Sequence, residues 1–377
     1  MKFLHISDLH LGKILNDVSL LADQEYILNR IIEISEDEQT DAVLIAGDVY
    51  QRSNPSAEAM ALFDRFISRL TTRGKKIFMI SGNHDSSERI SYFSSLIREA
   101  GVHTPEAFSG ALHKETIPDE YGEIDIYLMP FLRPSDVKRF YPDWEIRSYQ
   151  DAVRAVLESV EIDAERRSIL VCHQFIAGSE TSDSEEISVG TLDQISASLF
   201  SAFDYVALGH LHRPQFISVS KLRYAGSPLK YSFSEAANEK SATIVDVREK
   251  GNITVHTRPL TPLRDLRMVK GSLWDIMHMP PSPDYVWVTV TDEIVPPDAK
   301  LDITSVFPNM LRFSVSNSRT LQEADEIIQE RLESKSVSEL FLDFYKQLNG
   351  NQEPTEKHMD VFQKVLKRLE EKRHASD

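Results

Sequence analysis

Cysteine is almost absent. The single Cys172 among 377 residues rules out an internal disulfide, and a reducing, cytoplasmic compartment is the expectation. Long apolar runs are absent too. None approaches the ~20 residues of a membrane-spanning helix, and the opening Met1-Lys2-Phe3-Leu4-His5 reads as the start of a strand, not as an export signal. No membrane association is expected. Positive charge is scarce: 42 Lys and Arg stand against 59 Asp and Glu, a formal net charge of −17. That excludes a chain coated in basic surface for gripping nucleic acid. It does not exclude a nuclease, because metal ions can bring positive charge into a site and a partner subunit can supply the rest of a DNA track. No internal repeat or long low-complexity tract stands out.

What is present is a series of short apolar runs rich in Val and Ile. They are Phe3–Ile6, Ala42–Ala46, Ile77–Ile80, Ile126–Met129, Ile169–Cys172, Tyr205–Leu208 and Thr243–Val247. They lack polar alternation, as strands buried on both faces do. Helical patterns lie between them at Asp23–Glu36, Ala57–Arg73 and Tyr149–Ser159. Strands alternating with helices predict a layered α/β architecture. Later strands near Arg223–Tyr224, Ala242–Val247 and Asn252–Thr257 follow in quick succession, so the sheet should be mixed. The character changes around Pro259–Pro262. Runs at Tyr285–Val290 and Met310–Val315 and a helix near Leu321–Leu332 predict a small α+β unit. Two amphipathic helical segments close the chain. Ser338–Leu348 carries Leu340, Phe341, Phe344 and Leu348 on one stripe, and Thr355–Arg373 carries Met359, Phe362, Leu366 and Leu369. The expected organisation is 1–260, 261–335 and 336–377.

Five short motifs each fall where an apolar run ends: Asp8-Leu9-His10, Gly47-Asp48, Gly82-Asn83-His84-Asp85, His173, and Gly209-His210-Leu211-His212. Ligand sites of α/β sheets sit at the carboxyl ends of strands, so side-by-side strands would bring all five to one rim. Imidazole nitrogens, carboxylates and an amide oxygen, without thiolate, suit Mn, Fe, Zn and similar divalent ions. Each motif alone is weak: a lone Asp-x-His is common, and a Gly-Asp after a strand is usually a turn. Their joint order is the signal. Two or more Asp, one Asn and several His exceed one tetrahedral ion and suit two ions sharing a carboxylate. The histidines at 5, 103, 113, 256, 278, 358 and 374 lack this context and read as core or surface residues. Lys13, Arg52 and Arg89 follow the motifs and can reach backbone phosphates or be ordinary solvated charge.

On these motifs the sequence resembles the calcineurin-like metallophosphoesterase superfamily, and within it the SbcD family of nuclease subunits. The closer features are Phe3-Leu4-His5-Ile6-Ser7-Asp8-Leu9-His10-Leu11-Gly12, Gly47-Asp48-Val49-Tyr50 and Tyr224-Ala225-Gly226-Ser227-Pro228. The resemblance implies a β-sandwich flanked by helices, a small α+β capping domain and C-terminal helices. It implies that Asp8, His10 and His212 hold one metal, that Asn83, His173 and His210 hold the other, and that Asp48 bridges them. Two divalent ions are the expected cofactor, with Mn2+ the expected metal. His84 would face the phosphate as catalytic acid, and Asp85 would orient its ring. Val49-Tyr50-Gln51-Arg52-Ser53 replaces the Asp-Arg-Gly of the family's protein phosphatases, and Gln51 stands where other members carry a histidine that biases exonuclease against endonuclease action.

The implied activity is DNA phosphodiester hydrolysis in repair and recombination, exonucleolytic at double-stranded ends and endonucleolytic on single-stranded or hairpin DNA. The implied partner is an SbcC-type ATPase bound through residues 336–377, with a homodimer at the centre of the assembly. Apolar positions near Ser53–Phe63 and Ile90–Ile97 suit a dimer face and suit core packing equally. The competing expectations are a small-substrate phosphodiesterase or nucleotidase of the same superfamily, and a metal-bound scaffold for an ATPase.

Overall fold

The computed structural model describes residues 1–185, 194–217, 221–320, 337–348, 353–355 and 358–366. In chain order its strands are β1 Lys2–Ile6, β2 Ile14–Leu15, β3 Val18–Ser19, β4 Ala42–Ala46, β5 Lys76–Ile80, β6 Val102–His103, β7 His113–Asp119, β8 Gly122–Met129, β9 Arg167–His173, β10 Tyr205–Gly209, β11 Gln215–Ile217, β12 Leu222–Tyr224, β13 Ser241–Val247, β14 Ile253–Pro259, β15 Leu266–Gly271, β16 Tyr285–Val290 and β17 Met310–Val315. Two six-stranded sheets stack face to face. One has the order β14-β13-β1-β4-β5-β6 and the other β11-β12-β10-β9-β8-β7. The inner strands of each are parallel: β1 to β4 to β5 in one, β8 to β9 to β10 in the other. Antiparallel strands edge both sheets, so both are mixed.

The apolar runs have a simple cause. Along β4, Ala42, Leu44 and Ala46 face the second sheet, while Val43 and Ile45 face helices on the outside. Along β9, Ile169 and Val171 face inward, while Leu170 and Cys172 pack outward. A strand covered on both faces has no solvent side, so it has no polar alternation. The helices Leu21–Asp37 and Ala57–Thr71 cover one sheet with Ile27, Ile31, Leu62 and Phe66. Tyr149–Glu158 covers the other, and its start is fixed by Ser148 and Asp151 in a reciprocal cap. The fold is the expected layered α/β sandwich flanked by helices.

A third sheet, β15-β16-β17, is parallel and backed by the helices Leu273–Met277 and Ala299–Ile303 over Val286, Val288, Ile303 and Phe307. It is tied to the sandwich by more than a linker. Leu266 and Tyr285 join the main core. Buried Asp23 accepts from Arg264 Nε and Nη2, at 2.9 and 2.6 Å, and from the Tyr285 hydroxyl at 2.9 Å. Sequence patterning missed β15 and β7, whose Lys, Arg, Glu and His residues break any apolar run. The helix expected near Leu321–Leu332 lies outside the described residues.

Helix Val337–Leu348 and the helical residues 358–366 pack on each other. Phe341 stacks on Phe362 with ring centroids 4.1 Å apart, and the Tyr345 hydroxyl meets His358 Nδ1 at 2.9 Å. No described helix is long and apolar enough to cross a membrane.

Leu44 sits fully buried between the two sheets. Leu44→Ala should cost about 2–5 kcal/mol in urea unfolding, through lost transfer energy and an unfilled cavity. A loss well under 1 kcal/mol would mean that the sandwich interior is not packed as described.

Candidate metal centre

Because β1, β4, β5, β9 and β10 are parallel within their sheets, the loops at their carboxyl ends share one rim. Asp8 and His10 follow β1, Asp48 follows β4, Asn83 and His84 follow β5, His173 ends β9, and His210 and His212 follow β10. The loops are sewn together by backbone bonds. Asp8 N–H donates to Gly47 O at 3.1 Å, and His10 N–H donates to Asp48 O at 3.0 Å. Asp8, His10, Asp48 and His210 all have positive φ, at 53°, 44°, 49° and 99°. Such conformations cost about 1–3 kcal/mol each and persist only where the surroundings fix them. Here they turn the side chains inward.

All seven expected ligands converge. Asp8, His10 and His212 form one potential metal-holding group, with ligand atoms within 4.8 Å of one another. His10 Nε2 and His212 Nε2 face each other at 3.0 Å. Asn83 Oδ1 lies 2.9 Å from His173 Nε2 and 3.0 Å from His210 Nδ1. Asp48 stands between the groups, its Oδ2 3.6 Å from His10 Nε2 and 3.4 Å from His173 Nε2. His173 Nδ1 meets the Ala46 carbonyl at 2.8 Å, so it carries a hydrogen, and Nε2 faces Asn83 and Asp48.

The electrostatics follow from burial. Burial pushes the Asp8 carboxyl up, and neighbouring Asp48 adds to it. Burial also penalises the Asp48 charge, but the imidazoles of His173, His10 and His84 outweigh that and hold its carboxyl well below the usual range. His173 loses to burial but is carried up to about 9 by Asp48 and Asp8. Burial, aided by the neighbouring imidazoles, keeps His10 well below its ordinary value and His210 down at about 3. The pocket therefore sets buried carboxylates among imidazoles, with His10 and His210 held neutral and positive charge drawn to His173 beside Asp48. Oxygen and imidazole donors without thiolate fit divalent cations.

His84 borders this cluster. Its Nε2 is 3.9 Å from Asp48 Oδ2, and its Nδ1 donates to the Gln51 carbonyl at 3.2 Å. The ring is thus steadied by Gln51 and not, as the sequence suggested, by Asp85. The Asp85 carboxylate is consumed elsewhere: it accepts from Gly82 N and Val49 N at 3.0 Å and from Tyr50 N at 2.9 Å. It locks the loop after β5 to the loop after β4 and so positions Asp48 and His84 through the backbone.

Several supporting residues escaped the sequence reading. His212 Nδ1 reaches Ser184 Oγ at 2.8 Å and Glu235 Oε1 at 3.2 Å, and buried Lys240 donates to Glu235 at 2.5 Å. A carboxylate behind a ligating histidine fixes its tautomer. Tyr231 sets its ring edge-on to His10 and His212. Phe131 lies against His210, and the exposed Arg133 covers Phe131 at 5.3 Å. No periodic pattern marks these positions, because each works through a loop. Of the three candidate phosphate contacts, Lys13 lies over the Tyr231 ring beside the centre, Arg52 is exposed, and Arg89 lines a separate apolar cleft.

The calcineurin-like phosphoesterase family model matches residues 1–214. The chain belongs to the calcineurin-like phosphoesterase family. The model described as the Type 5 capsule protein repressor C-terminal domain matches residues 262–349. A relative from Staphylococcus epidermidis, the SbcD subunit of the nuclease SbcCD, is 36% identical over 322 residues, which cover 83% of this chain and 85% of the relative. This places the chain in the SbcD branch. Among solved structures, a dimetal phosphatase from Danio rerio is similar at 10% identity and a TM-score of 0.42, over 69% of this chain and 96% of that one. The protein TT1561 of Thermus thermophilus is similar at 12% identity and a TM-score of 0.39, over 69% of this chain and 99% of that one. Calcineurin-like phosphoesterases hydrolyse phosphoester bonds with divalent metals, the chemistry that the donor set fits.

Gly82 is where the loops touch. A Cβ there would collide with Asp48 Oδ1 and lie 2.5 Å from Asp48 N. Gly82→Ala should fold but weaken Mn2+ binding by about 10–100-fold, as loss of ligand support does. Titration of the purified variant with Mn2+ checks this, and wild-type affinity would show that the close approach does not set the site.

Proposed function

We propose that this chain is a DNA nuclease that hydrolyses phosphodiesters with two divalent ions, Mn2+ being the expected metal. The observation that carries the reading is Asp48 Oδ2 standing between two donor groups, at 3.6 Å from His10 and 3.4 Å from His173. Asp8, His10 and His212 would hold one ion, Asn83, His173 and His210 the other, and Asp48 both. When bound, the ions supply Lewis acidity to the phosphoryl oxygens and lower the pKa of an attacking water.

The chain's own residues do the rest. Ser7 donates to Asp8 at 2.5 Å, and the His210 backbone N–H donates to the same carboxylate at 3.1 Å, so its oxygens are fixed in direction. His84 keeps one proton on Nδ1 for Gln51 and turns Nε2 towards the centre. A proton on Nε2 can pass to the departing deoxyribose oxygen as the P–O bond breaks, while the attacking water loses a proton to solvent and its oxygen bonds to phosphorus. General acid catalysis of this kind is worth about 10²–10⁴-fold. Arg133, beside Asn83, is placed to meet a backbone phosphate.

The substrate and partners are read from the SbcD branch and from surface chemistry. Cleavage would be exonucleolytic at double-stranded ends and endonucleolytic on single-stranded or hairpin DNA, in repair and recombination. With a net charge of −17, much of the DNA grip belongs to a partner. We assign that partner as an SbcC-type ATPase docking on residues 336–377, where Phe344, Val361 and Val365 are 60%, 55% and 51% exposed. A homodimer would use Tyr92, Phe93 and Leu96, which are 69%, 59% and 65% exposed. Contiguous exposed apolar side chains mark such surfaces.

His84→Ala should retain Mn2+ and lose about 10²–10⁴-fold in linear-DNA cleavage, whereas Asp48→Ala should lose the metal as well. Wild-type cleavage by His84→Ala at saturating Mn2+ would sink the role, and activity on cyclic or monoester nucleotides without DNA cleavage would sink the nuclease reading. Deleting residues 336–377 should abolish co-purification with the ATPase and spare cleavage of a small phosphodiester. Retained co-purification would place the docking surface elsewhere.

A further inference from the structure

The inner faces of the two sheets are apolar along most of their length, with Phe3, Leu44, Ile126, Val171 and Val245 in contact. At one lateral end the character changes. Arg223, in the middle of β12, sits opposite Ala207 of β10 and so points to the same inner face. Across from it on β13 and β14 the inner positions are Ser241, Thr243 and Thr257, where the same strands further along carry Val245 and Val247. The sandwich ends here in a cleft of about 740 Å3 that continues to the third sheet and is lined by Arg223, Ser241, Thr257, Lys240, Leu260 and Arg264. That volume is in the range of small-molecule sites.

Arg223 is the unusual group. It is 95% buried at 5% relative exposure, yet among the described residues no carboxylate pairs with it. Its Nε donates to Thr243 Oγ1 at 3.0 Å, and its guanidinium lies over Phe216 at 4.5 Å. Neither contact neutralises a charge. Burying an unpaired guanidinium is expensive, and burial is the main force lowering the Arg223 pKa. The other cations on the cleft walls each have an anion: Lys240 has Glu235, Lys230 has Asp265, Arg264 has Asp23, and Arg213 has Glu180. In a chain of net charge −17, one buried guanidinium without a carboxylate is not explained by a shortage of acids.

We propose that this cleft is a binding site for a phosphate monoester, with Arg223 taking the phosphate through the fork of its guanidinium. A planar fork matches phosphate oxygens in pairs. Asp23, Glu239 and Asp265 also line the cleft, and Arg213, Lys230 and Arg264 are each balanced by a carboxylate, so among the described wall residues Arg223 is the cation left to meet an anion; Leu229, Leu260 and Pro228 give the apolar surface on which the rest of a mononucleotide can lie. The site is separate from the metal centre but touches it from behind. Lys240, which lines the cleft, donates to the His212 carbonyl at 2.8 Å. The proposal does not depend on the nuclease reading, since it concerns a different pocket and a different ligand group.

The test is calorimetric titration of the full chain in a chelating buffer, which removes phosphate binding at the metal centre. The probes are inorganic phosphate, deoxyadenosine 5′-monophosphate and deoxyadenosine. The monophosphate should bind with about one equivalent, and deoxyadenosine should not bind. Arg223→Met should weaken binding by at least about tenfold, the scale of a lost charge-assisted hydrogen bond. Thr257→Glu, on the exposed edge strand β14, supplies a carboxylate to the cleft without altering the core and should abolish binding. A monophosphate that binds more tightly than inorganic phosphate assigns the site to nucleotides; equal affinities assign it to free phosphate, and both support an anion site. No saturable binding by wild type, or equal binding by wild type and Thr257→Glu, overturns the proposal.

Discussion

A carboxylate buried among imidazoles governs this structure. Asp48 is almost completely excluded from water, and its charge is tolerable only because positive charge gathers around it. Every unusual feature nearby serves that arrangement. Asp8, His10, Asp48 and His210 adopt left-handed backbone conformations and aim inward. Glycine at 82 gives the Asp48 carboxylate room, and glycine at 209 lets β10 pass Ala46 O, with which a Cβ would collide. The Asp85 carboxylate accepts from backbone N–H groups, holding two loops in register. The local strain is supported by the sandwich behind it, whose inner strands are packed on both faces.

The sandwich does this through topology. Parallel strands from two sheets present their carboxyl ends on one rim, so loops separated by more than 200 residues meet, as Asp8 and His210 do. The third sheet is pinned to the same region. It packs through Trp287 on Phe233, in the segment that also carries Tyr231 against His10 and His212 and Glu235 against His212. Movement of that unit would therefore be felt at His212. Buried Glu235 and Lys240 bond to each other and both reach His212, Glu235 at its Nδ1 and Lys240 at its carbonyl, so the link is a network and not a single contact.

Much of this was legible in the residue string because the chemistry is local to strand ends. Each of the seven apolar runs falls within a strand, and each motif follows one, since a doubly buried strand and a turn-forming glycine both leave direct marks. The convergence of Asp8, His10, Asp48, Asn83, His173, His210 and His212 followed from that order. What stayed hidden was interaction between loops. The partner of Asp85 is backbone N–H, which no side-chain pattern reports, and so its expected bond to His84 was misplaced. Glu235, Tyr231 and Phe131 act across the fold without periodicity. β7 and β15 escaped because edge and small-sheet strands carry charge.

The account rests on one claim, that Asp48 joins two donor groups and so holds two cations side by side. Manganese titration of the full chain followed by electron paramagnetic resonance tests it directly. Two ions per chain with an exchange-coupled spectrum, as expected for metals about 3.5–4 Å apart, is the predicted result. A single isolated Mn2+ signal at saturation, or no uptake, would contradict it.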